Sequence, residues 1–192
     1  MNLKTVATLV LALAAPLAVA QSSTWKADPA HSEVDFVVRH GGVSNVHGRF
    51  GQVDATLLYN GADPTKSSVK ASIPTATINT GENGRDTHVR GGDFFDVAKY
   101  PNATFESTSV ERAAGGLKVT GNLTLHGVTK PIVFNVEGPE TPVENPMDHK
   151  LHSGFTATTT ISRTAFGIGT AFPSALISDE VKLTLELEVV KQ

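Results

Sequence analysis

The sequence predicts an all-β fold, an eight-stranded antiparallel up-and-down barrel with one long loop carrying short helical turns, and three observations lead there. Apolar and polar residues alternate at period two along most of the chain, in segments rich in Val, Thr, Ile and Phe. No long run places apolar residues at helical spacing. Most connections are short and made of turn residues: NGADPTK at 60–66, AAGG at 113–116, HGVTKP at 126–131 and GPETPVENP at 138–146.

The chain begins with MNLKTVATLVLALAAPLAVAQ, in which Lys4 precedes an uncharged apolar run and Ala18, Val19 and Ala20 offer the small-x-small pattern of a cleavage site. This reads as a secretory signal peptide over residues 1–20, cut after Ala20. A spanning helix needs roughly 20 apolar residues, and the run here is shorter and interrupted by Pro16. Residues 21–192 then form a single domain, expected to be exported to the periplasm or secreted. There is no Cys, so an exported fold must rest on its core alone and no thiol chemistry is open to it. A formal net charge of −3 offers no basic surface for nucleic acid, and past the leader nothing suggests stable membrane insertion.

The first strand, EVDFVVRH, points Val34, Phe36, Val38 and His40 to one side. Segments 48–59 and 67–74 continue the alternation. After a long interruption come 103–112, then GLKVTGNLTL with Leu117, Val119, Leu123 and Leu125 inward, and 129–138. GFTATTTIS turns Phe155, Ala157, Thr159 and Ile161 inward. The last segment, EVKLTLELEVV, is the clearest, with Val181, Leu183, Leu185, Leu187 and Val189 opposed to Lys182, Thr184, Glu186 and Glu188. Eight amphipathic strands in a meander must stack as a sandwich or close on themselves, and closure removes exposed edges.

The inward faces mix bulky residues (Phe36, Leu57, Ile73, Phe105, Phe134, Phe155) with small ones (Ala55, Ala71, Ser107, Gly121, Ala157, Thr159). That mixture suits an apolar cavity, and it equally suits a filled core in which small residues accommodate large neighbours. An apolar chain entering such a cavity gains about 0.8 kcal/mol per buried methylene, so a function is available without any catalytic residue.

The long connection, 76–102, holds NGRDTHVRGGDFFDVAKYP. Connections of this length in compact domains are usually functional. Asn83 is placed to cap a helical turn through Arg85, Asp86 and His88, stopped by Gly91 and Gly92; Asp93 is placed to cap a second turn carrying Phe94, Phe95 and Val97. Two accounts remain open. In one, Phe94 and Phe95 plug the barrel and an Arg85–Asp86 pair ties the loop down; in the other, the phenylalanines gate a ligand and Arg85 or His88 meets its headgroup.

Histidines supply the competing chemistry. His40 and His47 flank a hairpin-like GGVSNV, and His149 and His152 are three apart, so a metal-binding protein or metal-dependent enzyme is the alternative function. No HExxH helix, GxSxG elbow or phosphate-binding glycine loop accompanies them, GIG at 167–169 being too short for the last. No catalytic residue, cofactor or metal is assigned on this reading.

DPAHSEVDFVVRH (28–40), GRF (48–50), GRDTHVRGGDFFDVAKYPNATFES (84–107), GNLTLHGVTKPI (121–132) and TISRTAFGIG (160–169) together resemble the YceI-like family of bacterial lipocalin-like proteins, over essentially the whole of residues 21–192. The resemblance implies an extended eight-stranded barrel holding a long polyisoprenoid, an isoprenoid quinone or a similar amphiphile, in a periplasmic or secreted protein that is often dimeric. Carried over by position, it implies a ligand-binding wall of Phe36, Val38, Phe50, Phe105, Phe155 and Phe166, joined by Phe94 and Phe95. Leu57, Phe134 and Ala157 extend that wall from the inward faces. His31, Arg85, Asp86, His88 and Arg163 match the family's polar positions and stand as headgroup contacts or loop anchors. Gly91-Gly92 departs from the pattern, which commonly has a bulkier or polar residue there.

Overall fold

Every alternating segment forms a strand in the computed structural model, which describes residues 22–192. The predicted signal peptide over residues 1–20 lies outside the described residues. In chain order the strands are β1 (Ser23–Ala27), β2 (Glu33–His40), β3 (Ser44–Phe50), β4 (Asp54–Tyr59), β5 (Ser68–Pro74), β6 (Asn102–Ala113), β7 (Gly116–Leu125), β8 (Val128–Glu137), β9 (Val143–Glu144), β10 (Leu151–Ser162) and β11 (Ile177–Lys191). One α-helix, α1 (Asn83–Arg90), sits in the connection between β5 and β6.

These strands make an eight-stranded closed barrel because two courses are broken in the middle. β2 pairs with β3 and β1 with β4, so β1–β2 and β3–β4 are each one wall strand. From there the antiparallel ladder runs through β5, β6, β7, β8 and β10 to β11, and β11 returns to both β1 and β2. All neighbours in this ring are antiparallel, as an up-and-down barrel requires.

The breaks have local causes. Residues 28–32 carry Pro29, and the missing ladder bonds are replaced by Ser32, whose hydroxyl donates to the Glu188 carbonyl at 3.2 Å and accepts from the Glu188 amide at 3.1 Å. At 51–53 the course turns through Gln52 at a φ of 58°, a left-handed conformation incompatible with a ladder. Both breaks, the short β1 and the two-residue β9 differ from the sequence expectation, as does the start of β3 at Ser44 rather than Gly48.

Inward faces follow the predicted alternation. Large rings are accommodated by glycines on the neighbouring strand: a Cβ at Gly48 would overlap the Phe36 ring, and one at Gly121 the Phe105 ring. Gly121 is thus occupied by its neighbour's ring rather than facing open space. Ser107 marks a register shift between β6 and β7 and accepts from the Val69 amide at 2.9 Å. Three packed clusters surround the interior: one around Phe94, Leu125, Ile161 and Phe166, a second around Val110, Val119 and Phe134, and a third around Val34, Val53 and Ala55. No helix among the described residues is long and apolar enough to cross a membrane.

Candidate functional site

The barrel encloses a cavity of about 480 Å³, within the range of small-molecule pockets. Ten residues assigned to a ligand wall from sequence line it: Phe36, Val38, Phe50, Leu57, Phe94, Phe95, Phe105, Phe134, Phe155 and Ala157. Phe36, Val38, Phe50, Leu57, Phe105 and Phe155 are only half-buried although they sit on the inward faces of strands. Their free surface is turned to the cavity, so the mixture of large and small inward residues leaves space open instead of filling it.

Phe166 is a correction. It is 2% exposed and does not line the cavity. It lies in a 3₁₀ turn, Thr164–Phe166, where strand alternation no longer dictates direction, and its ring packs into the cluster of Phe94, Leu125, Ile161 and Ile168. Among the residues the sequence did not single out, Phe172 from the 163–176 connection joins the wall, as does Ile78 from the segment before α1. Neither lies on an alternating strand, which was the signal available.

The 75–101 segment closes one end of the barrel. Thr75 fastens it at both ends of its course, its amide donating to the Pro101 carbonyl at 2.8 Å and its hydroxyl to the Tyr100 carbonyl at 2.7 Å. The N-cap of α1 is Glu82, not Asn83: its carboxylate accepts from the amides of Gly84 and Arg85, which holds it below the usual carboxylate range. Gly91 ends the helix, its amide donating to the His88 carbonyl at 3.0 Å. Arg90 ties the last turn back to the Ala76 and Ile78 carbonyls.

Beyond Gly91 the chain folds into hydrogen-bonded turns, not a second helical turn capped by Asp93. The Phe94 and Asp96 amides both donate to the Gly91 carbonyl, and the Phe95 amide to Val89. Phe94 stacks on Phe172 with centroids 5.0 Å apart, and Phe95 meets Phe50 edge-on at 5.4 Å. His88 stands edge-on to Phe94 at 5.1 Å and lines the cavity, its Nε2 lying 3.3 Å from the Asp93 carboxylate. Phe94 and Phe95 thus pack among aromatic rings at this end of the barrel, an arrangement common to the plug and the gate, and Phe94 is 7% exposed.

The expected Arg85–Asp86 ion pair is absent among the described residues; Thr80 stands between them. The Thr80 hydroxyl and amide donate to Asp86 Oδ1 at 2.6 and 2.7 Å. That hydroxyl accepts from Arg85 Nε at 2.8 Å, and the Thr80 carbonyl accepts from Arg85 Nη2 at 2.8 Å. The hydrogen bond from the Thr80 hydroxyl, against a burial penalty that pushes the other way, holds the buried Asp86 carboxyl below its ordinary value. Asp86 is therefore an anchor that does not line the cavity, whereas Arg85 does.

Arg163 is 4% exposed and anchors the 163–176 connection. Nε donates to Ser178, Nη1 to Ile168 and Gly169, and Nη2 to Phe172 and Ile177, all of them main-chain carbonyls. A guanidinium has five N–H donors, so none is left for a ligand. Gly169 permits this approach: its φ is 59°, and a Cβ there would press on both Arg163 and the Phe94 ring.

His31, grouped with these residues by sequence, lies elsewhere. It sits in the break between β1 and β2, does not line the cavity, and its Nδ1 is 2.9 Å from Asp28 Oδ2 and 3.9 Å from Glu188 Oε2. The other Glu188 oxygen meets His152 Nδ1 at 2.6 Å, while His152 Nε2 meets Asp148 at 3.1 Å. These carboxylates raise the pKa of both imidazoles, Glu188 being the main cause for His152 and Asp28 for His31. The histidine pairs behind the alternative metal reading are not brought together as pairs. His40 lines the cavity while His47, opposite Val37, is on the other face; His149 turns to Glu144 at 3.4 Å, away from His152.

Comparison with known proteins agrees with this architecture. A family model for the YceI-like domain matches residues 25–189. A UPF0312 protein of Pseudomonas paraeruginosa is 35% identical over 192 residues, covering 98% of each chain. The crystal structure of Burkholderia cenocepacia BcnA superposes with a TM-score of 0.73 at 27% identity, covering 84% of this chain and 98% of that one. A polyisoprenoid-binding domain from Saccharophagus degradans, at 19% identity, shares the fold with a TM-score of 0.62, covering 88% and 98% of the two chains. With the barrel, the closing segment and these matches in agreement, the chain belongs to the YceI-like domain family.

Proposed function

We propose that this protein binds a long apolar lipid of the polyisoprenoid class inside the barrel and holds it away from water without covalent chemistry, as a carrier or store in the periplasm. One observation carries the reading: an interior of about 480 Å³ whose wall is almost wholly aliphatic and aromatic side chains. A cavity of that kind repels water, and each methylene that enters it contributes about 0.8 kcal/mol. Several isoprene units then bind firmly with no polar contact. The polyisoprenoid binding stated for the Saccharophagus domain fits the same barrel shape, and an isoprenoid quinone would present the same tail.

Organic-solvent extraction of the purified protein followed by mass spectrometry tests the proposal. A stoichiometric long-chain lipid is expected, and Ala71→Phe, which fills part of the cavity from the β5 wall, is expected to fold and to lose it. A protein that is always empty and takes up no isoprenoid added to it would overturn the reading.

A further inference from the structure

Two excursions from the barrel wall meet over one residue of the last strand. The break between β1 and β2 brings Asp28 and His31 to Glu188 of β11, and the 138–150 connection brings Asp148 to the same place through His152 of β10. Main-chain bonds fix the first excursion independently of these side chains. The Asp28 amide donates to the Glu188 carbonyl at 2.8 Å, and the Ser32 hydroxyl closes the far side of the break on the carbonyl and amide of the same residue. None of the five side chains lines the lipid cavity.

Each acid beside His31 has one oxygen tied and one turned toward the imidazole. Asp28 Oδ1 accepts from the Ala30 amide at 2.9 Å, while Oδ2 lies 2.9 Å from His31 Nδ1. Glu188 Oε1 is held at 2.6 Å by Nδ1 of His152, an imidazole 8% exposed and itself held by Asp148, while Oε2 lies 3.9 Å from His31 Nδ1. At that distance Oε2 receives no hydrogen bond, and it has no other donor among the described residues. One donor atom each from Asp28, His31 and Glu188 lies within 4.8 Å of the other two. Ligand atoms around a tetrahedral zinc ion, each about 2.1 Å from it, stand roughly 3.4 Å apart, between the two distances from His31 to its neighbours.

Charge is unbalanced in the same place. Three carboxylates gather with two imidazoles, which leave the group negative even when both are protonated. The Lys and Arg ion pairs form elsewhere, at Glu33, Asp63 and Glu106.

We propose that Asp28 Oδ2, His31 Nδ1 and Glu188 Oε2 bind a divalent transition-metal ion of the zinc class, with water completing its coordination. An imidazole nitrogen among the donors favours such an ion over Mg²⁺ or Ca²⁺, which take oxygen ligands. His152 is a positioning residue that orients the Glu188 carboxylate from behind. The ion ties the broken first course of the barrel to the last strand, and so fastens the ring where β11 closes it.

Zn²⁺ alone, titrated calorimetrically into untagged, chelator-stripped full-length protein at neutral pH, tests the site. One ion per chain is expected, with a Kd of about 10 μM or tighter, and Mg²⁺ should bind at least about a hundredfold more weakly. His31→Asn and Asp28→Asn should each weaken Zn²⁺ at least about tenfold, and His152→Gln about tenfold with the His31 imidazole still visible by X-ray absorption at the zinc edge. His47→Asn, on another part of the wall, should change nothing. Zn²⁺ should raise the Tm of the wild type and leave that of His31→Asn where it is. Absence of binding, affinity that survives both ligand substitutions, or Mg²⁺ bound as well as Zn²⁺ overturns the site and leaves a network of ion pairs. Unchanged affinity in His152→Gln overturns its positioning role. Should His31→Asn fail to fold, Asp28→Asn decides, since its amide oxygen keeps the bond from Ala30.

Discussion

Two places where the barrel departs from regular pairing are secured by opposite chemistry. At the helix end, the 163–176 connection is gathered around the buried Arg163, a guanidinium bonded only to main-chain carbonyls. On the outer wall, the break between β1 and β2 is held by His31 and His152 among Asp28, Asp148 and Glu188, with both imidazole pKa values raised and those of Asp28 and Asp148 lowered. The 163–176 connection thus keeps its anchor at any pH, while acid acts on the Asp86 anchor of the 75–101 segment and both acid and base act on the break between β1 and β2.

The largest expected effect comes from removing the fixed charge. Arg163→Met leaves five carbonyls without their donor and should cost at least about 4 kcal/mol in denaturant unfolding, at the exceptional end for one substitution. Arg163→Lys, with three donors in place of five, should recover only part of that. A stability within 1 kcal/mol of wild type, by the error of such fits, would remove the contrast between the two regions.

Next is the aromatic plug. Replacing Phe94 and Phe95 together with Ala should release bound lipid faster than His88→Ala does, measured by transfer to acceptor vesicles. The Phe94 component alone should cost about 3 kcal/mol of stability. The reverse ranking in lipid release would make His88, not the rings, the retaining element.

Thr80→Val is smaller. It removes the hydroxyl shared by Arg85 and Asp86 and leaves the buried carboxylate with the Thr80 amide alone, a loss of about 1–2 kcal/mol. Because the Asp86 pKa is held low in the folded protein, its contribution is present above about pH 4 and is lost as the pH falls through the folded value. Acid unfolding of Thr80→Val should therefore begin at higher pH than that of wild type.

The smallest effect belongs to the outer network. His152 has a folded pKa raised above its unfolded value, mainly by Glu188, so its contribution is complete below about pH 6.5 and fades as the pH rises through the raised value. Asp148, lowered by the Lys150 amide and by His152, contributes above about pH 4 and loses that as the pH falls. His152→Gln should cost about 1 kcal/mol at pH 6 and less at pH 9. Melting curves of the two proteins that stay parallel across that range would remove the titrating role.

Most of the barrel was legible in sequence because period-two alternation reports directly which face of a strand is buried. That signal placed Phe36, Phe105 and Ala157 on the cavity wall. It failed where the backbone stops being a strand: Phe166 sits in a 3₁₀ turn, Phe172 in an irregular connection, and β1 is too short to show a period. Polar residues were harder still. Arg163 finds its partners on carbonyls that no side-chain pattern encodes, and Arg85 and Asp86, adjacent in sequence, are joined through Thr80 and not to each other. His31 shared a motif list with Arg85 yet lies outside the cavity wall, because motif membership says nothing about distance.

β11 bonds to β10 along one edge and to both β1 and β2 along the other. Ring closure therefore joins residues 23–40 to residues 177–191, among the widest sequence separations the chain allows. Such contacts form late and slowly, since the entropy of closing so long a loop is spent before any pairing is gained. Until the last strand docks, β10 and the broken first course both present open edges and the greasy interior has no boundary. Folding of this protein should then be limited by that final seam, and an apolar lipid present during the wait would meet the same side chains that later enclose it.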